Sequence, residues 1–295
     1  MKKPPLLFIA FFIINSCLSC EPDWEINERT IIVEGIIESD GHPIVILSRS
    51  IQASTHETSL EDCIIATAKV TVSDGDTCVV LSGGIDHDYF PPYTYTSSHI
   101  IGECGKTYTL DIYYNGTHIS AVTSIPESCE ILGLKSYSIN DSTAYGIQAS
   151  FQDNSDSHNY YQFFTKNRNK ESRYYPSVWG FVDNRTINVL TTTVDSTSGN
   201  TTERTITHNV YPGRHVIEGD KYKMFFSRYD TVQVKLATMD SISSIFWQEF
   251  QNTQLTSELG FFSIINKIEG NVSGAKGYWC GLGTSKDITV IDNLP

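Results

Sequence analysis

The chain has 295 residues, a net charge of −13 and few charged side chains for its length. That acidic balance excludes nucleic acid as a partner and excludes adhesion to anionic lipid by charge alone. Tyr and Phe are plentiful, at 16 and 14 residues, and long Ala-, Leu- and Lys-rich stretches are scarce, so the usage favours strands.

The first elements lie in residues 1–28. Lys2 and Lys3 form a basic tip, and Leu6 to Ile14 is an unbroken apolar run. Two steps of a small residue followed by cysteine come next, Asn15-Ser16-Cys17 and Leu18-Ser19-Cys20. Glu21, Asp23 and Glu25 then turn the chain acidic. A basic tip, a short apolar core and a small residue at the cut make a secretory signal. The run is too short to span a bilayer, which needs roughly 20 apolar residues. The cysteine at the cut resembles a bacterial lipoprotein signal, whose thiol receives a diacylglyceryl group and becomes the new N-terminus. Cys20 is the expected acceptor because acids follow at once, as in the export tag of surface lipoproteins of the Bacteroidota; Cys17 is the alternative. The acyl chains would anchor at about 0.8 kcal/mol for each buried methylene. Residues 1–19 carry two lysines and no acid, so their loss takes the mature chain from −13 to −15. Residues 20–28 read as an acidic tether with Pro22 and Trp24.

Residues 29–127 read as one β-domain. Thr30 to Ile37 and Pro43 to Ser50 are β-branched runs joined at Asp40-Gly41, a strong hairpin signal. Ala66 to Ser73 alternates, with Ala66, Ala68, Val70 and Val72 expected to face a core. Asp74-Gly75-Asp76 turns the chain into Thr77 to Leu81. Gly83 to Ser97 is turn-rich and aromatic, and its Tyr89, Phe90, Tyr93 and Tyr95 form the candidate binding surface, because exposed tyrosines give contact area at low entropic cost. Lys106 to Tyr114 and His118 to Ile125 flank Asn115-Gly116, the best two-residue hairpin turn. Many short strands with frequent turns predict an immunoglobulin-like or transthyretin-like β-sandwich.

Residues 130–295 read as a second antiparallel β-domain carrying one short helix. Strands are expected at Leu134 to Tyr137, Ala144 to Gln152, Tyr160 to Lys166, Tyr174 to Phe181, Ile187 to Val194, Arg204 to Tyr211, Thr231 to Thr238, Tyr278 to Gly283 and Asp287 to Ile291. Asp195 to Glu203 reads as a very polar loop. Asp240 should cap a helix over 241–252, with Ile242, Ile245, Phe246 and Phe250 on its buried face. The fold class is therefore all-β.

The order of these segments resembles a known family. Ile32-Val33-Glu34-Gly35-Ile36-Ile37, Leu47-Ser48-Arg49-Ser50, Ala68 to Gly75 and Gly105-Lys106-Thr107-Tyr108-Thr109-Leu110 carry the resemblance in the first half. Asn159-Tyr160-Tyr161-Gln162-Phe163, Asp230-Thr231-Val232, Phe246-Trp247 and Gly277-Tyr278-Trp279-Cys280-Gly281 carry it in the second. The sequence is similar to the Bacteroidota outer-membrane lipoproteins catalogued as domain of unknown function 4249. The resemblance implies an outer-membrane lipoprotein, often encoded beside a TonB-dependent transporter, and assigns no catalytic residues.

Other constellations are weak. Asp86-His87-Asp88 alternates along an extended segment, which turns His87 away from the carboxylates. Asp153, Asp156 and His158 lack the glycine and the final glutamate of a calcium loop and read as a solvated turn. Gly281-Leu282-Gly283 leads into strand-like residues, unlike a phosphate loop. Ser48 and Ser285 lack a Gly-x-Ser-x-Gly frame. Cysteines 63, 78, 104, 129 and 280 are odd in number, and Cys78 could pair with Cys104. Four Asp-Ser/Thr-x triplets, beginning at Asp141, Asp195, Asp230 and Asp240, resemble an O-glycosylation acceptor of exported Bacteroidota proteins, with Ser196 the best candidate. The expectation is a non-enzymatic accessory component, with no cofactor or metal, anchored by lipid at the outer membrane and facing outward. It would partner a TonB-dependent transporter in nutrient uptake. The alternative is an adhesive or structural surface module that binds protein or glycan.

Overall fold

The computed structural model describes residues 30–50, 60–140, 143–154, 156–186, 191–198, 201–213, 217–218, 221–222, 224–254 and 270–292. Cys17, Cys20 and the tether lie outside the described residues.

Among the described residues the chain is all-β with one α-helix and a 3-10 turn at Leu60–Cys63, as the residue usage implies. β1 (Ile31–Glu38) and β2 (Ile44–Arg49) form the first hairpin. β3 (Lys69–Ser73) and β4 (Cys78–Val80) form the second, and β5 (Ser82–Ile85) and β6 (Tyr93–Thr96) the third. β7 (Thr107–Tyr114) and β8 (Thr117–Ser124) meet at Asn115 and Gly116, both with positive φ, 48° and 79°. A primed hairpin turn demands that geometry. β9 (Ile131–Asn140), β10 (Ala144–Asn154), β11 (Tyr160–Asn167), β12 (Tyr175–Asp183), β13 (Thr191–Ser198) and β14 (Thr201–Val210) follow. The pair β15 (Ile217–Glu218) and β16 (Lys221–Tyr222) precedes β17 (Thr231–Met239) and helix α1 (Ser241–Gln254). β18 (Val272–Ser273) and the long β19 (Lys276–Val290) close the fold.

Three main sheets result. The largest runs β12-β11-β17-β19-β1-β2-β6-β5; a five-stranded sheet runs β18-β8-β7-β3-β4; a four-stranded sheet runs β13-β14-β10-β9. The large sheet draws strands from both halves of the chain, and β19 joins them. Its first part pairs in parallel with β1, from Ile32↔Lys276 to Glu38↔Leu282. Its second part pairs antiparallel with β17, from Met239↔Leu282 to Thr231↔Val290. The parallel pair departs from the antiparallel arrangement expected of the second half. It brings together segments from opposite ends of the chain, which no local turn could join.

Strand alternation sorts the side chains. On one face of the large sheet, Val33, Ile37, Leu47 and Trp279 meet Tyr108, Leu110 and Ile112 of the five-stranded sheet in one core. On the same face, Tyr161, Phe163, Val234 and Leu236 meet Ile147, Phe151 and Ile206 of the four-stranded sheet in a second core. Trp279 is fully buried and donates its indole N–H to the Tyr108 carbonyl at 3.0 Å. Between the cores the connection from β8 to β9 crosses β19. A Cβ at Gly281 would strike the Ser124 carbonyl, and one at Gly283 the Pro126 carbonyl. That close backbone approach, and not a phosphate, is what Gly281 and Gly283 serve.

Three expectations change. Asp240 does cap α1, accepting the Ser243 N–H at 2.7 Å. The buried face, however, is Ser243, Phe246, Trp247 and Phe250, while Ile242 and Ile245 are 53% and 55% exposed. The aromatics bury more area than the isoleucines, and Phe246 stacks on Tyr278 with centroids 3.9 Å apart, so they set the rotation of the helix. Within the polar stretch expected as a loop from Asp195, 195–198 and 201–203 are paired strand, with Asp195↔Arg204 and Ser196↔Glu203 in register; the threonines are β-branched and suit a strand despite their polarity. Cys78 is exposed and Cys104 half-buried, and the two do not pair with each other.

Candidate functional site

The opposite face of the large sheet carries a layer of buried charge. Alternation turns Ile32, Glu34, Ile36 and Glu38 of β1 to this side, with Tyr278, Cys280 and Leu282 of β19, Lys235, Ala237 and Met239 of β17, and Phe164 of β11. Helix α1 covers part of it, where Phe246, Trp247 and Phe250 join Phe164, Ala237, Met239, Tyr278 and Cys280 in a third apolar cluster.

Glu34 stands in register with Tyr278 and is 6% exposed. Its Oε1 is buried without a hydrogen-bond partner. Burial pushes its carboxyl up to about 8, against the pull of the Arg173 guanidinium nearby. Glu34 is therefore mostly protonated at neutral pH, a neutral acid with an O–H to donate.

Arg173 precedes β12. Its guanidinium lies over Tyr89 at 4.5 Å and over Tyr175 at 4.4 Å, a cation held by two ring faces. Its Nε is buried without a partner. Lys235 is 4% exposed and pairs with Glu38. Its ammonium also sits over Phe164 at 4.6 Å and Tyr174 at 4.8 Å. Burial draws the ammonium below its ordinary range, and Glu38 opposes the shift. Lys286 lies 6.0 Å from the same Tyr174 ring. Burial raises the Tyr278 phenol well above its ordinary value and the Cys280 thiol to about 12, so neither ionises near neutrality and Cys280 is a poor nucleophile.

The aromatic residues singled out in the sequence divide. Tyr95 is a core residue, 2% exposed; its hydroxyl donates to the Ile65 carbonyl at 2.8 Å and accepts the Ala68 N–H at 3.2 Å. Tyr93 is half-buried, edge-on to Tyr95, and its hydroxyl donates to the Ala66 carbonyl. Tyr89 caps Arg173, and Phe90 projects with 46% exposure. The four side chains therefore do not form one surface, and only Tyr89 joins the charge layer. Ser196 lies within β13. Asp86 accepts the Asp88 N–H at 3.0 Å in a tight turn.

Asp153 is no solvated turn. It is the penultimate residue of β10, with a buried side chain, and accepts from the Tyr161 hydroxyl at 2.6 Å, Asn159 at 2.9 Å, Asn184 at 2.9 Å and Arg204 at 2.9 Å. Four donors around one carboxylate suit the anion and oppose a cation. Among the described residues, no group of three His, Cys, Asp or Glu side chains is placed to hold a metal. Asp230 accepts Lys170 at 2.7 Å and the Ser227 N–H at 2.9 Å.

The expectations from the sequence missed Glu34, Arg173 and Lys235. Two of them had a signal: Glu34 interrupts Ile31-Ile32-Val33 and Ile36-Ile37, and Lys235 sits between Val234 and Leu236. A charge in the middle of an apolar central strand must be buried or paired.

The molecule is thus an all-β protein with two cores on one face of a shared sheet and a layer of buried charge on the other. The family model described as Domain of unknown function (DUF4249) matches residues 19–286, and the chain belongs to that family. No curated protein matches it. No helix among the described residues is long and apolar enough to cross a membrane.

Proposed function

We propose that the chain is a lipid-anchored outer-membrane protein, facing outward, that acts without catalysis as an accessory to a TonB-dependent transporter in nutrient uptake. The observation that carries this reading is Cys20, placed after an apolar export signal and directly before Glu21, Pro22 and Asp23. A diacylglyceryl group and an amide-linked acyl chain on that residue supply the two signals that stable anchoring needs. The acidic body is repelled by an anionic membrane surface, and the tether keeps it at a distance where it can meet a partner.

The test is mass spectrometry of the mature N-terminus together with co-purification from detergent-solubilised outer membranes. The expected result is an acylated peptide beginning at Cys20, loss of anchoring in Cys20→Ala, and a β-barrel transporter in the eluate. An unmodified N-terminus defeats the anchor, and an eluate without a barrel defeats the partnership. Exposed Ile85 and Phe90 near the β5–β6 edge favour a second reading, an adhesive module. In that case a protein or glycan elutes and the transporter does not.

A further inference from the structure

We propose that the buried charge layer is a binding site for a small organic carboxylate, held between the Glu34 carboxyl and the Arg173 guanidinium. Folded proteins leave few buried polar atoms unpaired, and each one calls for an explanation. Glu34 Oε1, Arg173 Nε and Ser48 Oγ are all buried without a partner. Ser48 stands in register with Ile32, so it shares the face of Glu34. Elsewhere the same fold surrounds the Asp153 carboxylate with donors, so it can satisfy a buried acid.

Local charge selects the sign of the ligand. Arg173, Lys235 and Lys286 gather here, and Glu38 is engaged by Lys235. With Glu34 protonated, the cation here that keeps an unpaired buried donor is Arg173, with Asp86, Asp88 and Glu38 disposed around Tyr89 beside it, so the space between Glu34 and Arg173 favours an anion. A carboxylate matches both open groups: one oxygen accepts the Arg173 Nε–H, the other the Glu34 O–H, and charge-assisted bonds of this kind are the stronger ones. The rings of Tyr89 and Tyr175 that hold Arg173 border the site, so an apolar or aromatic body carried by the carboxylate would lie beside them. Tyr89, Arg173 and Tyr175 are only half-buried, which places the entrance at their stack.

Arg173 and Tyr278 act on Glu34; Cys280 and Tyr89 act on Tyr278, Asp86, Asp88 and Glu38 act on Tyr89, and the Glu38–Lys235 pair lies further along the layer. The phenol of Tyr278 and the thiol of Cys280 stay neutral well above pH 8. Loss of the Glu34 proton is therefore the event that weakens carboxylate binding as pH rises. This site goes beyond the accessory reading and stands whether or not Cys20 is acylated or a transporter co-purifies.

The test is calorimetric titration of the full mature chain with benzoate, acetate and benzylamine at about pH 6 and about pH 9, on either side of the Glu34 titration. Benzoate should bind more tightly than acetate, benzylamine should not bind, and benzoate affinity should fall about tenfold at the higher pH. Arg173→Met should weaken benzoate about tenfold or more, and Glu34→Gln, which keeps a donor, should bind it with no pH dependence. No benzoate binding, equal binding of benzylamine, or unchanged affinity in Arg173→Met overturns the proposal. Should Arg173→Met fail to fold, the wild-type chain decides by NMR: nuclear Overhauser contacts between benzoate and the rings of Tyr89 and Tyr175 support the site, and their absence overturns it.

Discussion

Two buried carboxylates, Asp153 and Glu34, sit in one protein and behave oppositely. Around Asp153 burial alone would raise the carboxyl, yet hydrogen bonds from Tyr161, Asn159, Asn184 and Arg204 hold it below the usual range. Around Glu34 only the charge of the Arg173 guanidinium opposes burial, without a hydrogen bond to the acid, and the carboxyl is raised to about 8. The difference teaches how to read buried charge. A fully partnered group ties strands together, here β10, β11 and β14. An unpartnered one costs stability and is tolerated where it has another use.

The comparison can be broken first at Asp153. Asp153→Ala strands Arg204 and three other donors in the interior, and it should cost about 3–5 kcal/mol in urea unfolding. A cost below about 1 kcal/mol would show that the network does not hold the fold.

Glu34 sharpens the contrast through pH. Its folded value lies above the unfolded 4.5, so the unfolded chain releases its proton first. Stability should be full below pH 4.5 and fall by about 1.4 kcal/mol per pH unit until the folded group ionises near 8. Glu34→Gln should remove that slope. His208 gives the reverse sign: burial pulls its imidazole down to about 4 from 6.5, although a hydrogen bond to the Trp179 carbonyl opposes this. It favours the folded state above pH 6.5 and costs stability as the pH falls to 4. Unfolding curves across the pH range separate the two slopes.

Smaller effects test the division of the aromatic segment. Tyr95→Phe removes the hydroxyl that ties β6 to Ile65 and Ala68 and should cost about 1 kcal/mol by thermal unfolding. Phe90→Ser at the exposed tip should shift stability by less than about 0.5 kcal/mol.

Much of this was legible in the sequence. The alternation of β3 and β7 and the Asn115-Gly116 turn are local signals, and the strands they imply are present. The role of β19 was not legible, because a parallel pairing between the two ends of the chain has no turn to announce it. The face of α1 was misjudged because spacing counts apolar residues equally, whereas Phe246 and Trp247 outweigh Ile242 and Ile245 in area. Two members of the charge layer are legible in the sequence, since Glu34 and Lys235 interrupt apolar strands. Arg173 could not, because only folding brings it over Tyr89.

The most direct test of the account is a carbon-detected NMR titration of the Glu34 side-chain carboxyl in the folded chain. An unpaired, buried acid should titrate near 8. A midpoint near the ordinary 4.5 would mean that Glu34 is solvated or paired, and the charge layer would lose its special standing.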